Sequence, residues 1–384
     1  MSQPLGKGTY GKVFKVEVDG KSYAEKQYTR AYCPSSIREI AFLRSAHHPN
    51  ILKAGKVSVK DGLPSVLLEL CTGELEGYYD NHSSYPVLVK TFHSILCVLE
   101  YIHSKKLVHG DLTPYNILIK GNEVKLADFG MVRESGTHGV QVTTLSWRAP
   151  EALMARQHST AMDMWSFGVI AYEALTGSVF VKGKTPSEVL NDILLQLGFP
   201  SDWKYRDRLS VIQQEFRPRA FDATKYCPSA ESAEGLNELI NGCLTFDEEK
   251  RLTATEALAL PMFEGLERPA CSWEPTVIKA VSEAEREDVE RLMRKLRILF
   301  PKTKESKLQK MLDLARAVSE KWEGRELTVK EIQACYYVVS ALRDVEGGML
   351  DWLEEDDEGF RGWVEVERVM EAVDWRFYVE TGGE

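Results

Sequence analysis

The sequence predicts an α+β chain with a strand-rich lobe over residues 1–72, a helix-rich lobe over 73–268 and an all-α region over 275–384. Three observations carry this prediction. Gly6-Lys7-Gly8-Thr9-Tyr10-Gly11 is flanked by apolar residues at Val13, Val16 and Val18 and is followed by another strand-like run rather than a helix. His109-Gly110-Asp111-Leu112-Thr113-Pro114-Tyr115-Asn116 precedes a short apolar strand, Ile117-Leu118-Ile119, and then Asp128-Phe129-Gly130. After Pro269 the apolar residues recur at helical spacing between polar breaks.

Composition sets the bounds. The 384 residues are 43% hydrophobic and 28% charged, which is ordinary for a globular protein of two to three domains. The charge of -10 is uneven: residues 271–384 carry 18 basic against 26 acidic side chains, net -8, so residues 1–270 are close to neutral. That balance argues against direct nucleic-acid binding. Seven scattered cysteines without a Cys-x-x-Cys pair read as reduced thiols, neither staples nor zinc ligands. With no run expected to reach membrane length and no signal pattern at the start, the expectation is a soluble protein of the nucleus or cytoplasm, with no membrane partner.

In chain order, the glycine stretch comes first. Gly6, Gly8 and Gly11 let a strand-turn-strand lie close over phosphates with its N–H groups facing them. Such glycines also occur in dinucleotide sites, but there a helix follows, and here a strand does. That strand contains Tyr23-Ala24-Glu25-Lys26, where a lysine is expected on the α- and β-phosphates. Lys21 competes for the role, and the Ala-x-Lys spacing favours Lys26. In the helix from Pro34 to Arg44, Ile37, Ile40, Ala41 and Leu43 predict one buried face, and Glu39 is the acid to pair with Lys26. Residues 87–103 have helical spacing through Leu88, Phe92, Ile95, Leu96, Leu99 and Ile102 and predict a core helix. In the loop that follows, Asp111 can accept a hydroxyl proton, and Asn116 and Asp128 offer oxygen ligands to magnesium.

The order and spacing of these pieces resemble a protein kinase. Pro34-Ser35-Ser36-Ile37-Arg38-Glu39 resembles the signature helix of the cyclin-dependent kinases, one residue shorter, and the glycine stretch resembles theirs, including the Thr9-Tyr10 pair that the family phosphorylates to inhibit. The matching motifs span residues 6–251. The resemblance implies a bilobal fold, ATP and Mg2+ as cofactors, and transfer to protein Ser/Thr, in Ser-Pro or Thr-Pro sequences. It implies Asp111, Lys26, Glu39 and Thr113 as catalytic and Asn116 and Asp128 as metal ligands. Gly6, Gly8, Gly11, Val13, Ala24, Lys26, Leu68, Glu69, Cys71, Glu74 and Leu118 would bind the nucleotide. Leu68 would be the gatekeeper, with the backbone of Glu69 and Cys71 on adenine.

Several positions depart from the family. Gly110 replaces an arginine and Thr113 a lysine. The lysine neutralises the transferring group, where a threonine offers a hydroxyl alone. The missing arginine would join Arg38 and Arg133 in gripping an activation-segment phosphothreonine. The segment from Asp128 to Glu151 is also shorter than in the cell-cycle members. The usual phosphorylated threonine falls near Gly139, and Thr137 is the nearest substitute. Phosphate stabilises a loop only where guanidinium groups receive it. Receiver and donor are both missing, so the segment is expected to be held without phosphorylation, by a partner or by the tail. Thr143 stands where relatives have a valine shaping the pocket for proline. Asp163 matches the residue that braces the catalytic loop, Arg251 matches the partner of Glu151, and residues 178–230 resemble the family's insert.

In the tail, Ala334-Cys335 with Ser340-Ala341-Leu342-Arg343-Asp344, and Val369-Met370-Glu371-Ala372-Val373-Asp374-Trp375-Arg376-Phe377, resemble helices of a cyclin box. The cyclin lysine after the serine is Ala341 here. The implied arrangement is kinase and cyclin-like activator in one chain; the alternative is an unrelated helical extension packed on the lobe, with any cyclin a separate chain. The acidic run from Asp351 to Glu358 reads as a solvated loop. A scaffold that keeps the fold and binds ATP and partner proteins without transferring phosphate is the competing class. Gly110 and Thr113 support it, and Lys26, Glu39, Asp111, Asn116 and Asp128 oppose it.

Overall fold

The computed structural model describes residues 3–7, 11–29, 34–60, 63–75, 84–136, 144–154, 158–198, 203, 205 and 219–273. Gly8, Thr9, Tyr10, Thr137, Gly139, Thr143 and the expected helical region 275–384 lie outside them.

Five strands make the first lobe: β1 (Gln3–Lys7), β2 (Gly11–Val18), β3 (Lys21–Tyr28), β5 (Ala54–Lys60) and β6 (Leu63–Glu69), in the antiparallel order β1-β2-β3-β6-β5. Between β3 and β5 come α1 (Pro34–Ser45) and the two-residue strand β4 (Ala46–His47). Gly11 is required by packing: a Cβ there would meet the Gln27 carbonyl oxygen at 2.7 Å, whereas Gly6 has open space around it.

α1 departs from the expected single buried face. Ile40, Ala41, Phe42 and Leu43 are buried, and so are Ser35, Ser36, Arg38 and Glu39. The helix is enclosed on several sides, so its polar residues must find partners inside the protein rather than in water. Arg38 does so by donating from Nε to the Gly130 carbonyl at 3.1 Å.

The second lobe is built on α2 (Tyr85–Ser104), where Phe92, Ile95, Leu96, Leu99 and Ile102 are fully buried. By length and composition alone this helix could cross a membrane, which corrects the expectation that no run is long and apolar enough. In this fold it is a core helix, flanked by α4 (Thr160–Thr176) and α7 (Ala254–Leu258). Short strands β7 (Gly73–Glu74), β9 (Ile117–Lys120) and β10 (Glu123–Leu126) form a sheet in the order β10-β9-β7, and β8 (Leu107–Val108) pairs with β11 (Arg133–Glu134). The remaining helices are α3 (Pro150–Met154), α5 (Pro186–Leu197) and α6 (Ala230–Cys243). The two lobes are stitched at Ile51 and Leu126, where Leu52 donates to Leu126 at 2.8 Å and Leu126 to Asn50 at 2.7 Å. After α7 the chain returns to the first lobe as β12 (Ser272–Trp273), antiparallel to β4.

Candidate active site

Strand register assembles one wall of the site. Val13 pairs with Lys26, Lys26 with Val66, and Ala24 with Leu68. Because paired residues share a face and faces alternate along a strand, Val13, Ala24, Lys26 and Leu68 lie on one side of the sheet. Lys26 is buried and bonded to Glu39, whereas its competitor Lys21 is exposed. In the second sheet Leu118 and Glu74 pair with each other across β9 and β7, and Glu74 is exposed.

At the end of β6, the Glu69 carboxylate accepts the Lys53 backbone N–H at 2.8 Å and the Lys120 ammonium at 2.7 Å. Its side chain is thus committed to local structure. Burial pushes the Cys71 thiol up to about 11, with the charge of Glu69 adding to the shift. Cys71 is therefore a neutral thiol at neutral pH.

Lys26 donates to both oxygens of Glu39, at 2.8 and 2.7 Å, and the Tyr28 hydroxyl donates to Glu39 at 2.9 Å. Its ammonium lies 3.5 Å from Asp128. Burial opposes the charge on Lys26, but the carboxylates of Glu39 and Asp128 outweigh it and raise its pKa. Burial also lifts the Glu39 carboxyl, and Lys26 opposes that rise. Tyr28 was not expected here, although a residue two places beyond Lys26 on the same strand must share its face.

The catalytic loop hangs from Asp163 on α4. Its Oδ2 accepts the His109 backbone N–H at 2.7 Å and bonds His103 Nε2 at 3.0 Å, while Oδ1 accepts the Gly110 N–H at 3.0 Å. Burial works against the charge of Asp163, but these donors prevail and hold its carboxyl below the usual range. The His109 ring meets the Ala127 carbonyl through Nε2 at 3.1 Å and the Asp111 N–H through Nδ1 at 3.3 Å, which assigns the ring proton to Nε2.

Asp111 Oδ1 accepts the Thr144 backbone N–H at 3.2 Å and its hydroxyl at 3.4 Å. Burial raises the Asp111 carboxyl above its ordinary value, the hydrogen bonds from Thr144 opposing. A raised carboxyl is a better proton acceptor. Asn116 Nδ2 donates to the Asp111 carbonyl at 2.8 Å, which orients the amide so that Oδ1 is the atom that could hold a cation. Asp128 takes a left-handed φ of 56°. Thr113 is only 3% exposed and mostly enclosed by protein.

Gly110 has a structural reason to be glycine. Its φ is +79°, and a Cβ would meet the Met131 carbonyl oxygen at 3.0 Å. Glu151 and Arg251 form the expected buried pair, bidentate at 2.6 and 2.9 Å. Of the site residues expected from the sequence, Lys26, Glu39 and Asp128 are in direct contact, Asn116 is bonded to Asp111, and the charge of Asp128 reaches Asp111. Gly8 lies outside the described residues.

Comparison with known proteins agrees with this geometry. A protein kinase domain model matches residues 1–263. The chain is 31% identical over 305 residues to a protein of Caenorhabditis elegans described as a cyclin-dependent kinase 4 homolog, and the match covers 73% of each.

Proposed function

The chain belongs to the protein kinase family, and from that premise we propose that it transfers the γ-phosphoryl group of ATP to serine or threonine in Ser-Pro or Thr-Pro sequences. One observation carries the reading: the closed Lys26–Glu39 pair lies against Asp128, whose charge is felt by Asp111 in the loop that also holds Asn116. Asp111 takes the proton of the attacking hydroxyl, and Lys26, fixed by Glu39 and Tyr28, holds the nucleotide's phosphate oxygens. The donor set fits magnesium, since a carboxylate and an amide oxygen are hard ligands and that ion keeps few protein groups alongside phosphates. Asn116 and Asp128 would hold the ion, which would supply charge neutralisation at the phosphates. Everything else the protein supplies is position and preorganised charge.

The activation segment is read as held without phosphate, because Arg38 is already committed to Gly130 and Gly110 cannot be replaced by an arginine without strain. The cyclin-like tail is read as the activator in cis, by its resemblance and by where it starts: Trp273 is paired with Ala46, at the end of the helix that carries Glu39. A tethered activator acts at an effective concentration on the order of mM.

The experiment is to assay the full chain with ATP and Mg2+, without added cyclin, on a Ser-Pro peptide and its Ser-Ala counterpart, beside residues 1–273. The Ser-Pro peptide is expected to react at least about tenfold faster, and the truncated chain to lose about tenfold or more in rate. Equal rates on the two peptides would remove the proline preference, and full activity in residues 1–273 would remove activation by the tail.

A further inference from the structure

The matched kinase domain ends at residue 263, but the chain does not leave the domain there. It runs back over α2, where Arg268 meets Glu100 at 2.6 Å, and the Tyr101 hydroxyl donates to the Ser272 carbonyl at 2.6 Å. Ser272 and Trp273 then pair with His47 and Ala46. Residues 264–273 thus join the main helix of the second lobe to the end of α1 in the first.

The last residue of this run makes the connection chemical. The Trp273 ring lies edge-on to Phe42 of α1, with centroids 5.8 Å apart, and 6.3 Å from Tyr101. Phe42 is fully buried and stacks on Phe129 at 4.0 Å and 16°. Phe129 meets His109 of the catalytic loop at 4.8 Å. Three rings therefore lead from residue 273 to the residue next to Asp128, along the helix that carries Glu39. The Arg268–Glu100 pair is exposed and contributes little to holding the run in place. The aromatic contacts and the strand pairing hold it.

We propose that residues 264–273 are a strap that fixes α1, and that Trp273 is a positioning residue for phosphoryl transfer. It acts through Phe42 and Phe129 on the Lys26–Glu39 pair and on Asp128. Without the ring, α1 can drift outward and part Glu39 from Lys26, so the competent arrangement is populated for less of the time. The proposal rests on the kinase reading of the site and adds a determinant outside the matched domain.

The test uses the full chain with Trp273→Ala and Trp273→Phe. In the alanine variant, kcat is expected to fall about tenfold while the KM for the peptide changes less than about threefold, because the peptide does not touch the strap. The phenylalanine variant keeps an aromatic ring and is expected to recover most of the rate. Hydrogen exchange is read alongside: amides of residues 34–47 should exchange faster in the alanine variant, and those of 160–176 should not change. An alanine variant at full kcat, a phenylalanine variant as slow as alanine, or faster exchange throughout the chain would overturn the proposal. Exchange also keeps the two readings separate. If the unaltered chain transfers no phosphate, the kinase reading falls, and unchanged exchange over 34–47 would then refute the strap on its own account.

Discussion

Lys26→Met is expected to lower the rate of phosphoryl transfer by about a thousandfold, equivalent to about 4 kcal/mol of transition-state stabilisation. The ammonium is bonded to both oxygens of Glu39 and lies 3.5 Å from Asp128. The same change also destabilises the protein. Glu39 is 3% exposed and would lose its counter-charge, and breaking a buried pair from one side costs about 3–5 kcal/mol. The sign of the pH dependence follows. With Lys26 gone, burial holds the Glu39 carboxyl above its unfolded value, so the folded state binds the proton more readily than the unfolded chain does. Stability of the variant therefore falls as pH rises through that range, and the loss relative to the unaltered protein should be smaller near pH 5 than near pH 8. Urea unfolding at the two pH values measures it. Lys26→Met/Glu39→Gln should regain part of the stability and none of the activity. A loss that does not depend on pH would mean that Glu39 is not carrying the charge assigned to it.

Arg251→Met is expected to produce the largest loss of stability, about 3–5 kcal/mol or more. The guanidinium holds both oxygens of Glu151 and the carbonyls of Ala161 at 2.8 Å and Thr245 at 2.9 Å, and it lies 5.1 Å over the Trp165 ring. Methionine fills much of the volume but leaves a buried carboxylate and several carbonyls without donors. Adding Glu151→Leu should restore only part of the loss, because the carbonyls stay bare. Chemical denaturation of the two variants checks this, and full recovery in the double variant would show that the carbonyl contacts contribute nothing. Glu151 opens the helix after the activation segment, so the single variant should also lose activity at temperatures where it is still folded.

Much of the site could be read from the chain because it is built from local patterns. Resemblance named Val13 and Ala24, the Ala-x-Lys spacing named Lys26, and strand register puts all three on one face of the sheet; the spacing from Asp111 to Asn116 is short enough that one tight turn sets it. The Asp163 brace and the Arg251–Glu151 pair came from resemblance, and the geometry supplies their physical content. What stayed hidden depends on contacts between distant segments. Phe42, Phe129 and Trp273 belong to three separate stretches, and no periodicity joins them. Periodicity could not show that α1 would be enclosed on more than one side, so its buried Ser35 and Ser36 went unread. Gly110 shows the same limit. The sequence registers a missing arginine, and only the backbone shows a left-handed residue pressed against the Met131 carbonyl.

Thr113 and Gly110 are the two positions that favour a scaffold without turnover, and the closed Lys26–Glu39 pair beside Asp128 favours an enzyme. The most direct measurement is transfer of labelled phosphate from ATP to a Ser-Pro peptide by the purified full chain and by Asp111→Asn, which keeps the size of the side chain and its place beside Thr144 while removing the proton acceptor. The account predicts steady incorporation by the unaltered chain and a loss of at least about a hundredfold in the variant, with nucleotide binding retained in both. Equal incorporation by the two proteins, or none by either, would contradict it.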